Sequence, residues 1–263
     1  MKIRLTILVI STAVLAVALI GCGNKQAKNE TPAARATAGK TVDAATAGSI
    51  TGTIKLDGAP PKMKAIKMAA EPGCAKDHAN QPAMTEDIVP GENGTLQNVI
   101  VYLQGDFGQY IFTTPTSPAT IDQKGCQYHP HVLALTVNQP LQVINSDPVT
   151  HNIHPVPKDN REWNQSQPPG SAPIDQTFAR PEIAIPVKCN IHPWMKAYIA
   201  VFANPYFEVT GKDGSFDIKN IPPGTYTVTA WHEHYGTSEQ SVTIGPKESK
   251  NVTLTFKVTA AGS

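Results

Sequence analysis

The sequence predicts an all-β protein, and three observations carry that prediction. From Ser49 onward, short alternating or wholly apolar runs are separated by Pro, Gly, Asn and Asp, the rhythm of strands and turns. The 23 prolines argue against long helices. Two late stretches show period-two patterning: Tyr226, Val228 and Ala230 fall on one face of 225–231, and Val252, Leu254, Phe256 and Val258 alternate likewise.

The chain opens with a different kind of segment. Lys2 and Arg4 precede an apolar run over 7–20, a charged n-region and h-region of secretory type. The run ends in Leu19-Ile20-Gly21-Cys22, which resembles a bacterial lipoprotein cleavage box. That resemblance implies a signal peptide over 1–21 and acylation of Cys22. An uncleaved anchor is the alternative, against which the run is short for a bilayer span. Several acyl chains would hold the protein at a membrane surface, so an exported, lipid-anchored location in the periplasm or on the cell surface is expected. Residues 22–48, nearly devoid of large apolar side chains, read as a disordered tether. Without Lys2 and Arg4 the chain carries 20 basic and 21 acidic residues, so nothing recommends nucleic acid as a partner.

Residues 49–56 form the first expected strand, closed by Asp57-Gly58-Ala59-Pro60-Pro61. Residues 64–70 fit a strand or a short helical turn equally. Residues 71–95, with Cys74, read as loop until 96–103 gives another strand. A second unit is expected to begin near Ala119, with strands over 132–137 and 141–144, then Asn145-Ser146-Asp147-Pro148 leading to His151 on a loop or strand edge. Residues 156–179 are a polar, Pro-rich excursion. Strands over 182–187 and 196–202 enter and leave a tight loop. Beyond Pro205, Lys212-Asp213-Gly214-Ser215 signals a hairpin turn, and Asn220-Ile221-Pro222-Pro223-Gly224 signals a second turn.

The chemistry concentrates in that tight loop. Cys189, His192 and Met195 lie at i, i+3 and i+6 between two apolar runs, offering a thiolate, an imidazole and a thioether, and His151-Asn152-Ile153-His154 can supply a second imidazole. Two His, one Cys and a weak Met make the trigonal blue-copper donor set. A lone Cys-x-x-His would be read as a structural cysteine beside a surface histidine; the added Met195 and His151 turn the balance. Zinc suits Cys and His as well, but structural zinc wants four strong ligands and a thioether is a poor one.

Cys-x-x-His-Pro-x-Met together with His-Asn-x-His resembles the cupredoxins, those of the amicyanin type above all. The resemblance spans about a third of the chain. It implies a cupredoxin-like Greek-key sandwich over 106–204 and one type 1 copper held by His151, Cys189, His192 and Met195. It further implies Asn152 tying the two ligand segments together by hydrogen bonds, with Pro193 and His131 beside the metal. His154 is the rival for the upstream ligand. With Cys22 assigned to lipid and Cys189 to metal, Cys74 and Cys126 remain, and in an exported protein such a pair is expected to form a disulfide. Two free thiols, or a second metal site with His78, His129 or His131, are the alternatives. His232 and His234, at period two, would share a strand face: a second metal pair or a solvated face.

Asp213-Gly214-Ser215-Phe216, Ile221-Pro222-Pro223-Gly224-Thr225-Tyr226 and Gly52-Thr53-Ile54-Lys55-Leu56 resemble the carboxypeptidase regulatory-like β-sandwich. They imply a discontinuous second sandwich over 49–105 and 205–258, followed by a tail over 259–263; a plain tandem arrangement is the alternative.

The chain shows neither a Gly-rich phosphate loop nor a Gly-x-Ser-x-Gly elbow, and a blue-copper centre with all its protein ligands in place suits electron transfer better than catalysis. The expected function is therefore a non-enzymatic, lipid-anchored electron carrier. His192 is expected near the surface as the electron's exit. Redox proteins such as a periplasmic cytochrome or a dehydrogenase would dock transiently. A copper-delivery module and a surface-binding sandwich that retains a cupredoxin shape are the competing readings.

Overall fold

The computed structural model describes residues 39–258. The expected signal peptide with Cys22, most of the tether and the tail lie outside the described residues. Order begins ahead of Ser49, because Lys40 exchanges backbone hydrogen bonds with Gln109 and Ile111 and lays its ammonium over the Tyr110 ring.

Sixteen strands follow among the described residues. The first part of the chain holds β1 (Gly48–Asp57), a short helix α1 (Pro72–Asp77) and β2 (Ile100–Gln104). The middle part holds β3 (Ala119–Lys124), β4 (Gln127–His129), β5 (Val132–Thr136), β6 (Leu141–Asn145), β7 (His151–Pro155), β8 (Gln165–Gln167), β9 (Ile174–Gln176), β10 (Glu182–Lys188) and β11 (Lys196–Phe202). The last part holds β12 (Phe207–Val209), β13 (Ser215–Ile221), β14 (Gly224–His232), β15 (Gly236–Ile244) and β16 (Ser249–Lys257).

The strands make four sheets, in the orders β13-β1-β16, β12-β2-β14-β15, β5-β11-β10-β7-β8 and β4-β3-β6-β9. β1 is central in the first, antiparallel to β13 and parallel to β16. It passes so close to β16 that a Cβ on Gly52 would lie 2.2 Å from the Val252 carbonyl oxygen, which is why only glycine fits there. Three apolar cores separate the layers. Ile50, Ile54, Leu103, Phe216, Val228 and Leu254 fill the first, between the two sheets that contain β1 and β2. Ile121, Leu135, Val143, Ile153, Val187 and Ile199 fill the second, between the two sheets that contain β3 and β11. The third, built on Ile100, Val132, Ala200 and Phe202, joins the outer face of β2 and β14 to the outer face of β5 and β11. The layers thus stack four deep, and a fully buried Ile or Phe at such a seam contributes about 1.5–3 kcal/mol.

Several expectations change. The turn at 212–215 is tight, with the Gly214 N–H donating to the Gly211 carbonyl. Yet β12 and β13 belong to different sheets, so this turn and the one at 220–224 carry the chain between layers and close no hairpin. The 71–95 region contains α1, which carries Cys74. β15 was not foreseen: its sequence Gly-Thr-Ser-Glu-Gln-Ser is polar because β15 is an edge strand, with only Val242 and Ile244 buried. Among the described residues no helix is long and apolar enough to cross a membrane.

Candidate metal centre

The loop 189–195 joins β10 to β11, which pair antiparallel with Val187 opposite Ala197 and Lys188 opposite Lys196. This pairing pins both ends of the loop. Inside it, the Cys189 N–H donates to the Met195 carbonyl at 3.2 Å and the Met195 N–H donates to the His192 carbonyl at 2.9 Å, folding the seven residues back on themselves. β7 lies beside β10 and brings His151 to the same end of the sheet.

The donor atoms of His151, Cys189 and His192 lie within 4.8 Å of one another, and all three residues are buried. The Nδ1 atoms of His151 and His192 are 2.9 Å apart, and the Cys189 Sγ is 3.8 Å from the His192 Nδ1. Bonds of about 2.0–2.3 Å from one first-row ion to nitrogen and sulfur span such separations, so the residues fit a metal. Met195 is buried in the same core as Cys189. His154 turns away, to Glu162 at 2.6 Å and the Asn190 side chain at 3.1 Å.

Around the cluster, Asn152 reaches across from β7. Its Oδ1 accepts from the Asn190 N–H at 2.7 Å, the Ile191 N–H at 3.3 Å and the Cys189 thiol at 3.3 Å. Sequence reasoning missed a second buried residue, Asp147. Its carboxylate accepts the His151 Nε2–H at 2.7 Å and the N–H groups of Gly125 and Cys126 at 2.6 and 2.8 Å. The i, i+4 relation of Asp147 to His151 was the available signal. In the neutral ring, a proton on Nε2 shared with Asp147 leaves the His151 Nδ1 lone pair facing the cluster.

The electrostatics follow from these contacts. Burial would raise the Asp147 carboxyl, but the bond to His151 and the two backbone N–H groups hold it below its ordinary range. Burial would lower the His151 imidazole, and Asp147 and Cys189 more than offset this, raising it. Burial would push the Cys189 thiol up, but the bond with His151 and those from the surrounding loop bring it below its usual value. His192 is lowered by burial and by the neighbouring His151.

His192 corrects an expectation: it is only 2% exposed. Cys74 and Cys126 form a disulfide, and the Cys74 Sγ sits 3.8 Å from the His192 Nε2, with the Glu71 carboxylate at 3.9 Å. The α1 segment therefore covers the ring edge that was to face solvent. His131 makes no hydrogen bond to the cluster and instead pairs with Glu233, which also binds Lys196 at 2.9 Å. Pro193 is exposed on the loop. His232 is buried at the end of β14, its Nδ1 accepting the N–H of His234, which lies in the following turn. The two do not share a strand face.

The chain matches no curated protein. A solved structure that it resembles is a Cu-containing nitrite reductase (NirK) from Thermus scotoductus SA-01, at 22% identity and TM-score 0.31 over 33% of this chain and 22% of the reductase. The chain thus spans about a fifth of that protein's length. A purple cupredoxin from Nitrosopumilus maritimus is similar at 21% identity and TM-score 0.28, over 32% of this chain and 98% of that one. A Cu(I) form of an amicyanin mutant is similar at 21% identity and TM-score 0.27, over 31% and 79% of the two chains. Residues 196–257 match the family model of the carboxypeptidase regulatory-like domain, a span that takes in β11 to β16 and leaves β1 and β2 outside it.

Proposed function

We propose that the protein is a type 1 copper protein that passes single electrons between redox partners. The observation that carries this reading is the convergence of the His151 Nδ1, the His192 Nδ1 and the Cys189 Sγ on one buried point. Copper bound there would alternate between Cu(II) and Cu(I). His151, His192 and Cys189 would hold it, and Met195 would supply the weak fourth donor that tunes its potential. Asp147 and Asn152 do the positioning: one fixes the His151 tautomer, the other clamps the loop at Cys189. All three cluster residues are at most 3% exposed, which favours outer-sphere transfer over chemistry on a bound substrate and favours a resident metal over one handed on. Attachment through Cys22 to a membrane outside the cytoplasm is part of the proposal and rests on the leader sequence alone.

The test is addition of copper(II) to the full chain. One equivalent is expected to give an intense visible thiolate-to-copper band that survives mild chelation. Cys189→Ser is expected to lose that band with the β-sheet circular dichroism unchanged, and full colour in that variant would remove Cys189 from the site.

A further inference from the structure

Resting on the electron-transfer reading, we infer that electrons enter and leave through Trp194, and that the groove beside it receives a redox protein whose one-electron centre is ringed by carboxylates. The covered position of His192 requires another exit, since its Nε2 edge meets the disulfide and Glu71. The aromatic neighbour of His192 in the loop is Trp194, with ring centroids 5.2 Å apart. An indole N–H bond of 3.0 Å to the Cys126 carbonyl fixes the orientation of Trp194. Trp194 is half-buried and lines a groove of about 700 Å³ together with Ile66, Ala70, Pro193 and Met195. The metal loop itself is therefore one wall of an apolar trough.

The rim of the groove sets the partner's charge. Lys64 and Lys67 are exposed there and form no ion pair among the described residues, whereas Lys196 is held by Glu233. Glu86 is the one acidic residue of the lining, leaving a positive excess. An apolar floor with a lysine rim fits an apolar redox patch bordered by Asp and Glu, docking through a small, salt-sensitive interface. In each encounter one centre loses an electron and the other gains it, and no bond or proton need move. Ile191, 43% exposed on the same loop, is aliphatic and offers the rival exit.

The experiment is stopped-flow oxidation of the reduced, copper-loaded full chain by two probes, anionic hexacyanoferrate(III) and cationic tris(phenanthroline)cobalt(III). Trp194→Leu is expected to slow both by at least about tenfold with the visible band unchanged, Trp194→Phe to restore most of the rate, and Ile191→Ala to leave it alone. Lys64→Glu with Lys67→Glu is expected to slow the anionic probe, speed the cationic one, and lose both effects at high salt. A coloured Trp194→Leu protein with wild-type rates overturns the route, as does slowing by Ile191→Ala. Rates indifferent to the lysine pair overturn the docking assignment, and so does a concentration-dependent dimer that shields the groove from both probes. A chain that never colours with copper removes the electron-transfer reading itself, and the inference with it.

Discussion

A neutral imidazole has one nitrogen that donates and one that accepts, and at His151 the choice between them is made by Asp147. The carboxylate is itself held by two backbone N–H groups, so it stays anionic although buried. Outer partners of this kind typically matter by about 10- to 100-fold in metal affinity. Asp147→Asn is therefore expected to weaken copper(II) binding by about that factor, read by competition against a chelator; unchanged affinity would make Asp147 a packing residue only. Met195→Leu preserves volume and removes the proposed fourth donor to the oxidised ion, so the reduction potential of the copper-loaded protein is expected to rise. Indistinguishable voltammograms would exclude Met195 as a ligand. The spacing Cys189, His192, Met195 was legible because all three sit in one short loop. The cover over His192 was not, because it comes from residues 118 positions away in sequence, and local pattern carries no record of that contact.

At the scale of elements, the strands whose burial is one-sided were the readable ones. β16 alternates buried Val252, Leu254 and Phe256 with exposed neighbours, as its sequence does. β2 and β11 read as continuous apolar runs, and the reason is that each is covered on both faces, by its own sandwich and by the seam at Ile100, Ala200 and Phe202. A run without alternation was thus the available sign of the third core. The α1 segment, short and polar, has no such signature and depends on its bond to the β3–β4 turn. Closing 52 residues, the disulfide is worth about 4 kcal/mol on chain-entropy grounds. Replacing Cys74 and Cys126 with Ala together is expected to lower stability in urea by about that amount, and to open His192 to water. Protease cleavage confined to 59–95 in the variant is the accompanying readout, and resistance equal to wild type would show that the segment is held by other contacts.

For the whole molecule, the third core and the cluster of Glu233, His131 and Lys196 bind the two sandwiches together. Glu233 sits in the β14–β15 turn, while His131 immediately precedes β5 and Lys196 opens β11, two strands of the sheet of the candidate metal centre. Burial would raise the Glu233 carboxyl, but His131 and Lys196 bring it from 4.5 down to about 2. A carboxylate with a depressed folded value contributes stability that is complete above its unfolded value and is lost as pH falls toward the folded one. The window is therefore between about 4.5 and 2, and the contribution is on the order of 3 kcal/mol. Glu233→Gln is expected to be less stable at neutral pH and flatter through that window, measured by denaturant titration at stepped pH. A variant that keeps the wild-type acid slope would move the titration elsewhere. With an apolar seam and a buried ionic cluster shared between them, the two sandwiches are expected to melt in one calorimetric transition.

The path of the chain also sets a schedule. β1 takes its neighbours from Ser215–Ile221 and Ser249–Lys257, and β2 from Phe207–Val209 and Gly224–His232. A chain delivered from its N-terminus, whether by a ribosome or through a membrane pore, releases these two central strands first and their partners last. At about 5–20 residues per second of synthesis, β1 waits on the order of ten to thirty seconds with both edges unpaired, until β13 emerges. During that interval the strands from Ala119 to Phe202 can close their own sheets. The newborn protein thus passes through a stage in which the buried cluster of His151, Cys189 and His192 can assemble before the sandwich packed against it exists, and in which an open β-strand needs guarding from other chains.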